Sequence, residues 1–202
     1  MAGLRSVQSV ADVVDNLPSS GRVLVAIVGS PGAGKSTIAE ALVARLPDAA
    51  LLPMDGFHLP QAELRRLGRR DRMGAPDTFD VDGFLAVLRA LRAGEAVTAP
   101  GFDREVEEAV PGSLRVDAPV VIVEGNYLLL DSGGWEAAAP LFDATFFVEV
   151  ERGIRLERLI KRHERFGKSP TDARAWALGP DESNALLIEA TAARADHRIR
   201  LP

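Results

Sequence analysis

A glycine-rich stretch near the N-terminus carries the residues with the clearest chemistry. Residues 29–37 read GSPGAGKST and match the pattern G-x-x-x-x-G-K-[ST]. Glycines let backbone N–H groups turn inward around a phosphate, Lys35 supplies a mobile positive charge, and the Ser36 hydroxyl can complete the ligand shell of Mg²⁺. The stretch therefore predicts a nucleotide-phosphate clamp. All of its residues are candidate nucleotide contacts: Gly29, Ser30, Pro31, Gly32, Ala33, Gly34, Lys35, Ser36 and Thr37.

Two acidic residues and a histidine follow later apolar runs. Asp55 and His58 lie in MDGFH after AALLP, and Glu124 follows VVIV. Phosphoryl transfer to an alcohol needs a carboxylate that accepts the hydroxyl proton, which suits Asp55, although an aspartate before a glycine equally often stabilises its own turn. Glu124 stands where a phosphate clamp needs an acidic partner for Mg²⁺. His58 alone is more typical of a hydrogen-bonded loop residue, and it is also a candidate substrate contact.

Arginines form a stripe on a helix predicted over residues 152–166. On such a helix the four side chains fall within an arc of roughly 80°. Most charged stripes are solvated and balanced by carboxylates one turn away, but this stripe lacks them along most of its length. Guanidinium groups suit phosphate binding, so residues 152–175 are predicted to form a lid that Gly167 and Pro170 interrupt. The stripe consists of Arg155, Arg158, Arg162 and Arg165.

Alternating strands and helices must position these residues. The pattern predicts an α/β protein with a mostly parallel sheet, helices on both faces and one domain over residues 1–202. Ligands of such sheets bind beyond the carboxyl ends of the strands. An amphipathic helix is expected within residues 1–20, a helix capped by Asp82 and ended by Gly94, and an irregular segment with a possible hairpin over 95–118. The predicted strands are 22–28, 49–53, 119–123, 144–150 and 197–201.

Composition narrows the class of protein. The 202 residues include 24 basic and 29 acidic side chains, which argues against a protein that binds nucleic acid over its whole surface but leaves a local basic patch open. The absence of cysteine excludes disulfides, thiolate metal sites and thiol nucleophiles. Because no apolar run approaches the length of a membrane span, a soluble cytoplasmic protein without a membrane partner is expected.

Motif order indicates a family. GTPases carry N-K-x-D and ABC ATPases an L-S-G-G-Q-type signature, and neither occurs here. With MDGFHL, GAPDTFD, VIVEGNY and the arginine helix in this order, residues 20–200 resemble the P-loop kinases of the uridine kinase, phosphoribulokinase and type I pantothenate kinase group. The resemblance implies a P-loop NTPase fold with a five-stranded parallel sheet and ATP with Mg²⁺ as donor. It also implies that Asp55 is the catalytic base, Glu124 the Walker B acid, and Arg158 and Arg162 the catalytic lid arginines acting with Lys35.

The acceptor site is less clearly indicated. APGFDREVEEA occupies the place of the family's acceptor loop but matches neither the uridine nor the pantothenate kinases well, and an ordinary polar hairpin explains it equally well. RMGAPDTFD is closer to pantothenate kinases, and the combination with MDGFHLP resembles a bacterial nucleoside kinase-like subgroup associated with fructose uptake. The basic run over residues 65–72 favours a solvated face, although an inward Arg72 would favour an anionic acceptor. The candidate acceptor contacts are Phe102, Asp103, Arg104, Arg72 and Tyr127.

These observations favour an ATP-dependent kinase that phosphorylates a hydroxyl of a small polar metabolite, such as a nucleoside, a pantothenate-like compound or a sugar. One alternative is a nucleotide kinase or a plain NTPase, for which Asp55 would be dispensable. Another is a P-loop NTPase that acts as a nucleotide-dependent regulatory protein through a partner. The sequence leaves a homodimer open.

Overall fold

The computed structural model describes residues 3–18 and 21–200. Within them, five parallel strands form one sheet in the order β2-β5-β1-β6-β7, as predicted, and β3 and β4 form a separate antiparallel hairpin. The strands are β1 Val23–Val28, β2 Ala49–Pro53, β3 Val97–Asp103, β4 Glu108–Val116, β5 Val120–Gly125, β6 Ala144–Val148 and β7 His197–Ile199. The helices are α1 Val7–Asp15, α2 Lys35–Val43, α3 Gln61–Arg66, α4 Val81–Arg92, α5 Arg152–Arg165, α6 Pro170–Leu178 and α7 Pro180–Glu189.

The central strand β1 is buried along its whole length, as its unbroken apolar sequence VLVAIV indicates. Val25 and Ile27 face a core that includes Ile38 and Leu42 of α2. Leu24, Ala26 and Val28 face the opposite core, to which α4 contributes Phe84 and Leu88. Helices therefore cover both faces of the sheet, and α2 is held directly behind the carboxyl end of β1.

Three predicted elements differ in part from the structure. Asp80, not Asp82, caps α4, because the helix begins at Val81 and the Asp80 carboxylate accepts a hydrogen bond from the Gly83 N–H at 2.9 Å. The segment over 95–118, predicted to be irregular with a possible hairpin, is the β3–β4 hairpin, whose register shifts between Ala99 and Gly101. The last strand was predicted over 197–201, but β7 ends at Ile199, and residue 201 lies outside the described residues. Residues 1, 2, 19 and 20 of the predicted N-terminal helix also lie outside them.

Two short helices, α6 and α7, follow the arginine helix α5. Only part of this region was expected, as the end of a lid. α6 packs against both α5 and α7. The result is a helical wall that faces the carboxyl ends of the strands. None of the helices in the described residues is long and apolar enough to cross a membrane.

Candidate active site

The phosphate clamp connects the end of β1 to the start of α2. Gly34 caps α2 in the left-handed region with φ of 96°, and Gly32 has φ of 80°. Both conformations favour glycine. A Cβ atom on Gly32 would lie 2.8 Å from the backbone oxygen of Arg155, so α5 lies directly on the loop. The loop therefore has the tight turn and open backbone that phosphate binding requires.

Lys35 lies in a buried position at the head of α2. Its Nζ donates to the backbone oxygen of Ser30 at 3.3 Å. Burial lowers the pKa of Lys35 to about 8, against the opposing influence of Glu124 and Asp55. A phosphate group beside the ammonium would offset this desolvation, since an anion favours the charged form.

Glu124 stands at the carboxyl end of β5, where its register partners are Ile27 of β1 and Pro53 of β2. Its Oε1 accepts a hydrogen bond from Ser36 Oγ at 3.0 Å. Burial, together with the nearby Asp55 carboxylate, raises the pKa of Glu124. A buried carboxylate beside a hydroxyl is an oxygen-donor set that fits Mg²⁺. The described residues contain no cluster of three or more acidic or histidine side chains that could hold a metal ion. Such a cluster is not required here, because Mg²⁺ at phosphate sites takes most of its ligands from phosphates and water.

Asp55 lies in a 3₁₀ turn that follows β2. Its Oδ2 accepts a charged hydrogen bond from Arg104 at 2.7 Å. Burial acts to raise the pKa of Asp55, but Arg104, His58 and Lys35 outweigh it, and the net effect is a lowered pKa. The carboxylate is thus ionised at neutral pH and able to accept a proton, while the pKa of its neighbour Glu124 is shifted upward.

His58 forms part of the wall beside Asp55. Its Nδ1 lies 2.8 Å from the backbone oxygen of Asp55, a distance that fits Nδ1–H donation. The ring centroid is 4.0 Å from that of Phe79 and 4.8 Å from that of Phe102. Burial lowers the pKa of His58, so the imidazole is neutral at pH 7. The residue combines a structural loop contact with an exposed edge toward the cavity.

The arginine stripe divides by position on α5. Arg162 lines the cavity over Lys35 and Asp55, and burial lowers its pKa. Arg158 lies against the clamp, with Nη1 3.5 Å from the backbone oxygen of Ala33. Arg155 does not belong to a solvent-facing phosphate-binding surface as predicted, because its buried guanidinium pairs with Glu182 of α7. Arg165 is exposed beside the ring of Phe166.

These elements enclose one cavity at the carboxyl ends of β1, β2 and β5. Nine of the predicted site residues line it: Pro31, Lys35, Ser36, Asp55, His58, Phe102, Arg104, Glu124 and Arg162. A second groove lies on the other side of the clamp and is lined by Gly34, Thr37, Ile38, Val150, Ile154, Arg158 and Arg200. The clamp therefore separates a polar cavity from a more apolar groove.

Three predicted acceptor contacts are not brought into this cavity. Arg72 points away and pairs with Asp77 at 2.6 Å, because its 3₁₀ turn directs it outward. Asp103 is exposed and accepts a hydrogen bond from the Glu105 N–H, which stabilises the hairpin turn. Tyr127 is fully buried, and its hydroxyl donates to the backbone oxygen of Gly74 behind the cavity wall.

Several cavity residues were not among the predicted site residues. Arg70 belongs to the basic run over residues 65–72, for which a solvated face was favoured, Glu107 belongs to APGFDREVEEA, and Asn126 comes two residues after Glu124. The others come from segments without a motif: His163, Trp176, Asp181 and Asn184. His163 Nε2 lies 2.7 Å from Asp181 Oδ2, a contact between α5 and α7.

Comparison with known proteins agrees with this geometry. The chain is 32% identical over 176 residues to a Schizosaccharomyces pombe protein that carries the provisional name of a uridine kinase, covering 80% of this chain and 75% of that protein. It is 37% identical over 138 residues to a pantothenate kinase of Limosilactobacillus reuteri, covering 63% of this chain and 45% of the kinase.

A solved structure from Silicibacter sp. TM1040, described provisionally as a fructose transport system kinase, superposes with a TM-score of 0.88. It is 38% identical and covers 98% of this chain and 99% of its own. Residues 24–169 match the phosphoribulokinase / uridine kinase family, and this range includes the clamp, Asp55, Glu124 and all of α5. The chain belongs to this family of P-loop kinases, and it is a phosphotransferase with an alcohol group as acceptor.

Proposed function

We propose that this protein transfers the γ-phosphoryl group of ATP to a hydroxyl of a small polar metabolite bound next to Asp55. The observation that carries the proposal is the convergence of Lys35, Asp55, Glu124 and Arg162 on one cavity. The relatives are named for uridine, pantothenate and fructose, all of which present a hydroxyl to the donor. The shared chemistry supports an alcohol acceptor without deciding among these three.

The donor side is assigned to the clamp. The backbone N–H groups of the loop and Lys35 hold the phosphates, and the positive end of α2 points to the same place. Ser36 and Glu124 would hold Mg²⁺, which neutralises charge on the phosphates when bound. The more apolar groove beyond Thr37 is assigned to the nucleotide base. This arrangement directs the γ-phosphoryl group into the polar cavity.

The acceptor side is assigned to Asp55. Arg104 holds Oδ2, and Oδ1 is the oxygen that we assign to the acceptor hydroxyl. As the bond from the acceptor oxygen to the γ-phosphorus forms, the bond from the γ-phosphorus to the bridging oxygen breaks and ADP leaves. The hydroxyl proton passes to this carboxylate, whose ionised state the surrounding cations favour. Arg162 faces the same space from α5 and stabilises negative charge on the transferring group, while Arg158 approaches the clamp.

The test is Mg·ATP-dependent ADP release, measured with uridine, cytidine, pantothenate and fructose as acceptors. Asp55→Asn removes the proton acceptor while it keeps the shape of the side chain. We expect at least one acceptor to stimulate the native protein, and the variant to lose about 10²- to 10⁴-fold in kcat while its affinity for ATP is retained.

Asp71→Asn is the matched control, because Asp71 is exposed on the surface. This variant should behave like the native protein. Acceptor phosphorylation that persists in Asp55→Asn would remove Asp55 from the mechanism. Slow hydrolysis that no acceptor stimulates would instead favour the nucleotide-dependent regulatory protein.

A further inference from the structure

Glu107, at the tip of the β3–β4 hairpin, has a backbone conformation that is unfavourable for its type. Its φ of 52° lies in the left-handed region, where glycine, asparagine and aspartate are the usual residues. Such conformations persist where the surrounding structure compensates for them, and they cluster at ligand sites. The side chain of Glu107 reaches the acceptor end of the cavity.

The carboxylate of Glu107 pairs with two cations, of which Arg70 lines the cavity and Lys168 lies beside it, over the ring of Trp176. Arg70 donates to Oε2 at 2.5 Å, and the Lys168 ammonium lies 3.8 Å from Oε1. Gln61 accepts a second hydrogen bond from Arg70 at 3.2 Å, which fixes the guanidinium in this pairing. An anionic acceptor would have to displace Glu107 to reach either cation.

The remaining cations that line the cavity are also committed. Arg104 pairs with Asp55 at 2.7 Å. Lys35 and Arg162 are the residues that we assign to the phosphates of the donor. Arg72, which would have favoured an anionic acceptor, points away from the cavity. Among the described residues, each cation that lines the acceptor end therefore either pairs with a carboxylate or is assigned to the phosphates of the donor.

What this end offers instead is hydrogen bonding beside aromatic surfaces. Asp181, which contacts His163, and Asn184 line the same cavity as the ring of Trp176. Carboxylate and amide groups next to aromatic rings suit vicinal hydroxyls and the C–H surface of a polyol. A carboxylate or phosphate on the acceptor would instead meet Glu107 and Asp181 as like charges.

We propose that Glu107 determines acceptor specificity: it neutralises the acceptor end and so selects an uncharged polyhydroxylated compound over one that carries a carboxylate or phosphate. This inference rests on the proposed kinase function, and it adds the chemical class of the acceptor.

The experiment compares acceptors in pairs that differ in a charged group. Suitable pairs are glycerol and glycerate, fructose and fructose 6-phosphate, and pantothenol and pantothenate, in each of which the charged member keeps a primary hydroxyl. We measure kcat/KM by ADP release for both members of each pair. For every pair that stimulates the native protein, we expect the uncharged member to be preferred by at least about tenfold.

Two variants test the role of Glu107. Glu107→Gln keeps the size of the side chain and frees Arg70 and Lys168, so the preference should shrink by about tenfold through faster reaction of the charged member. Glu107→Asn removes the same charge and suits the left-handed conformation, so backbone strain at this position is not increased. Glu105→Gln removes an exposed carboxylate from the same hairpin and should leave the preference unchanged.

The outcomes separate the inference from the function on which it rests. A native protein that prefers the charged members would overturn the inference and leave the kinase in place. The same holds if both Glu107 variants keep the native preference. If no compound in any pair stimulates ADP release, the proposed function fails and the inference fails with it.

Discussion

At the phosphate side, the cavity is lined by residues of one short stretch at the end of β1 and the start of α2, whereas the acceptor end collects side chains from the hairpin, α5, α6 and α7. The phosphate side depends on local backbone conformation and on Glu124 of the adjacent strand. The acceptor end depends on how separate elements pack. The comparison suggests that substitutions at the acceptor end can alter the acceptor while the donor chemistry stays intact, because binding residues on loops vary on a constant scaffold.

The largest expected effect comes from removing the charge at the phosphate side. Lys35→Ala should reduce ADP release at least about a thousandfold with every acceptor, because this ammonium contacts charge that develops during transfer. Lys161→Ala is the control, since Lys161 is exposed and pairs only with Glu157 one turn away in the described structure. Substantial activity in Lys35→Ala would contradict the assignment of the clamp. A loss that differs between acceptors would show that Lys35 also acts at the acceptor end and not only at the phosphate side.

A smaller effect is expected where α5 joins both sides. Arg155 is 1% exposed, lies against Gly32 of the clamp and pairs with Glu182 of α7. Arg155→Ala should lower the free energy of unfolding by about 3 kcal/mol, because it leaves a cavity and removes one of the two arginine partners of Glu182, the other being Arg152. Urea unfolding measures this change.

Two further variants show how much of the stability at Arg155 comes from its burial and how much from its charge. Arg165→Ala, on the exposed part of α5, should change stability by less than about 0.5 kcal/mol. Arg155→Met should cost less than Arg155→Ala, because it fills the space and removes Nε and Nη1, which have no hydrogen-bond acceptor within the described residues. Equal stabilities for Arg155→Ala and Arg165→Ala would show that α5 is not anchored in this way.

The smallest effect is a dependence of ATP affinity on pH. Because the pKa of Lys35 is lowered to about 8, the residue is charged below that pH and loses its proton above it. Binding of Mg·ATP above pH 8 then requires uptake of a proton, so affinity should fall by up to about tenfold per pH unit. Calorimetric titrations at pH 7, 8 and 9 measure it. Lys35→Arg should flatten the profile, and a flat profile in the native protein would show that Lys35 stays charged.

The difference between the phosphate side and the acceptor end also explains which site residues could be predicted from the sequence. The clamp, Asp55 and Glu124 follow buried strands within short motifs, so their positions at the carboxyl edge of the sheet were predictable. The choice of Arg70 over Arg72 depends on the direction of a 3₁₀ turn, which no periodic pattern encodes. The contact between His163 and Asp181 depends on the packing of α7 on α5, as does the burial of Arg155. Tertiary packing thus determines which side chains line the acceptor end, and sequence patterns could not predict it.

The order of strands in the sheet also has a consequence for synthesis on the ribosome. Within the described residues, β1 pairs with β5 and β6, and β2 pairs with β5. The first hundred or so residues to emerge therefore contain the apolar strand VLVAIV, the clamp and Asp55 before any of these partners exists. Pairing over such long sequence separations is slow, and unpaired apolar strands aggregate. The nascent chain must keep β1 shielded until residues 120–148 have left the ribosome, and only then can the central part of the sheet assemble.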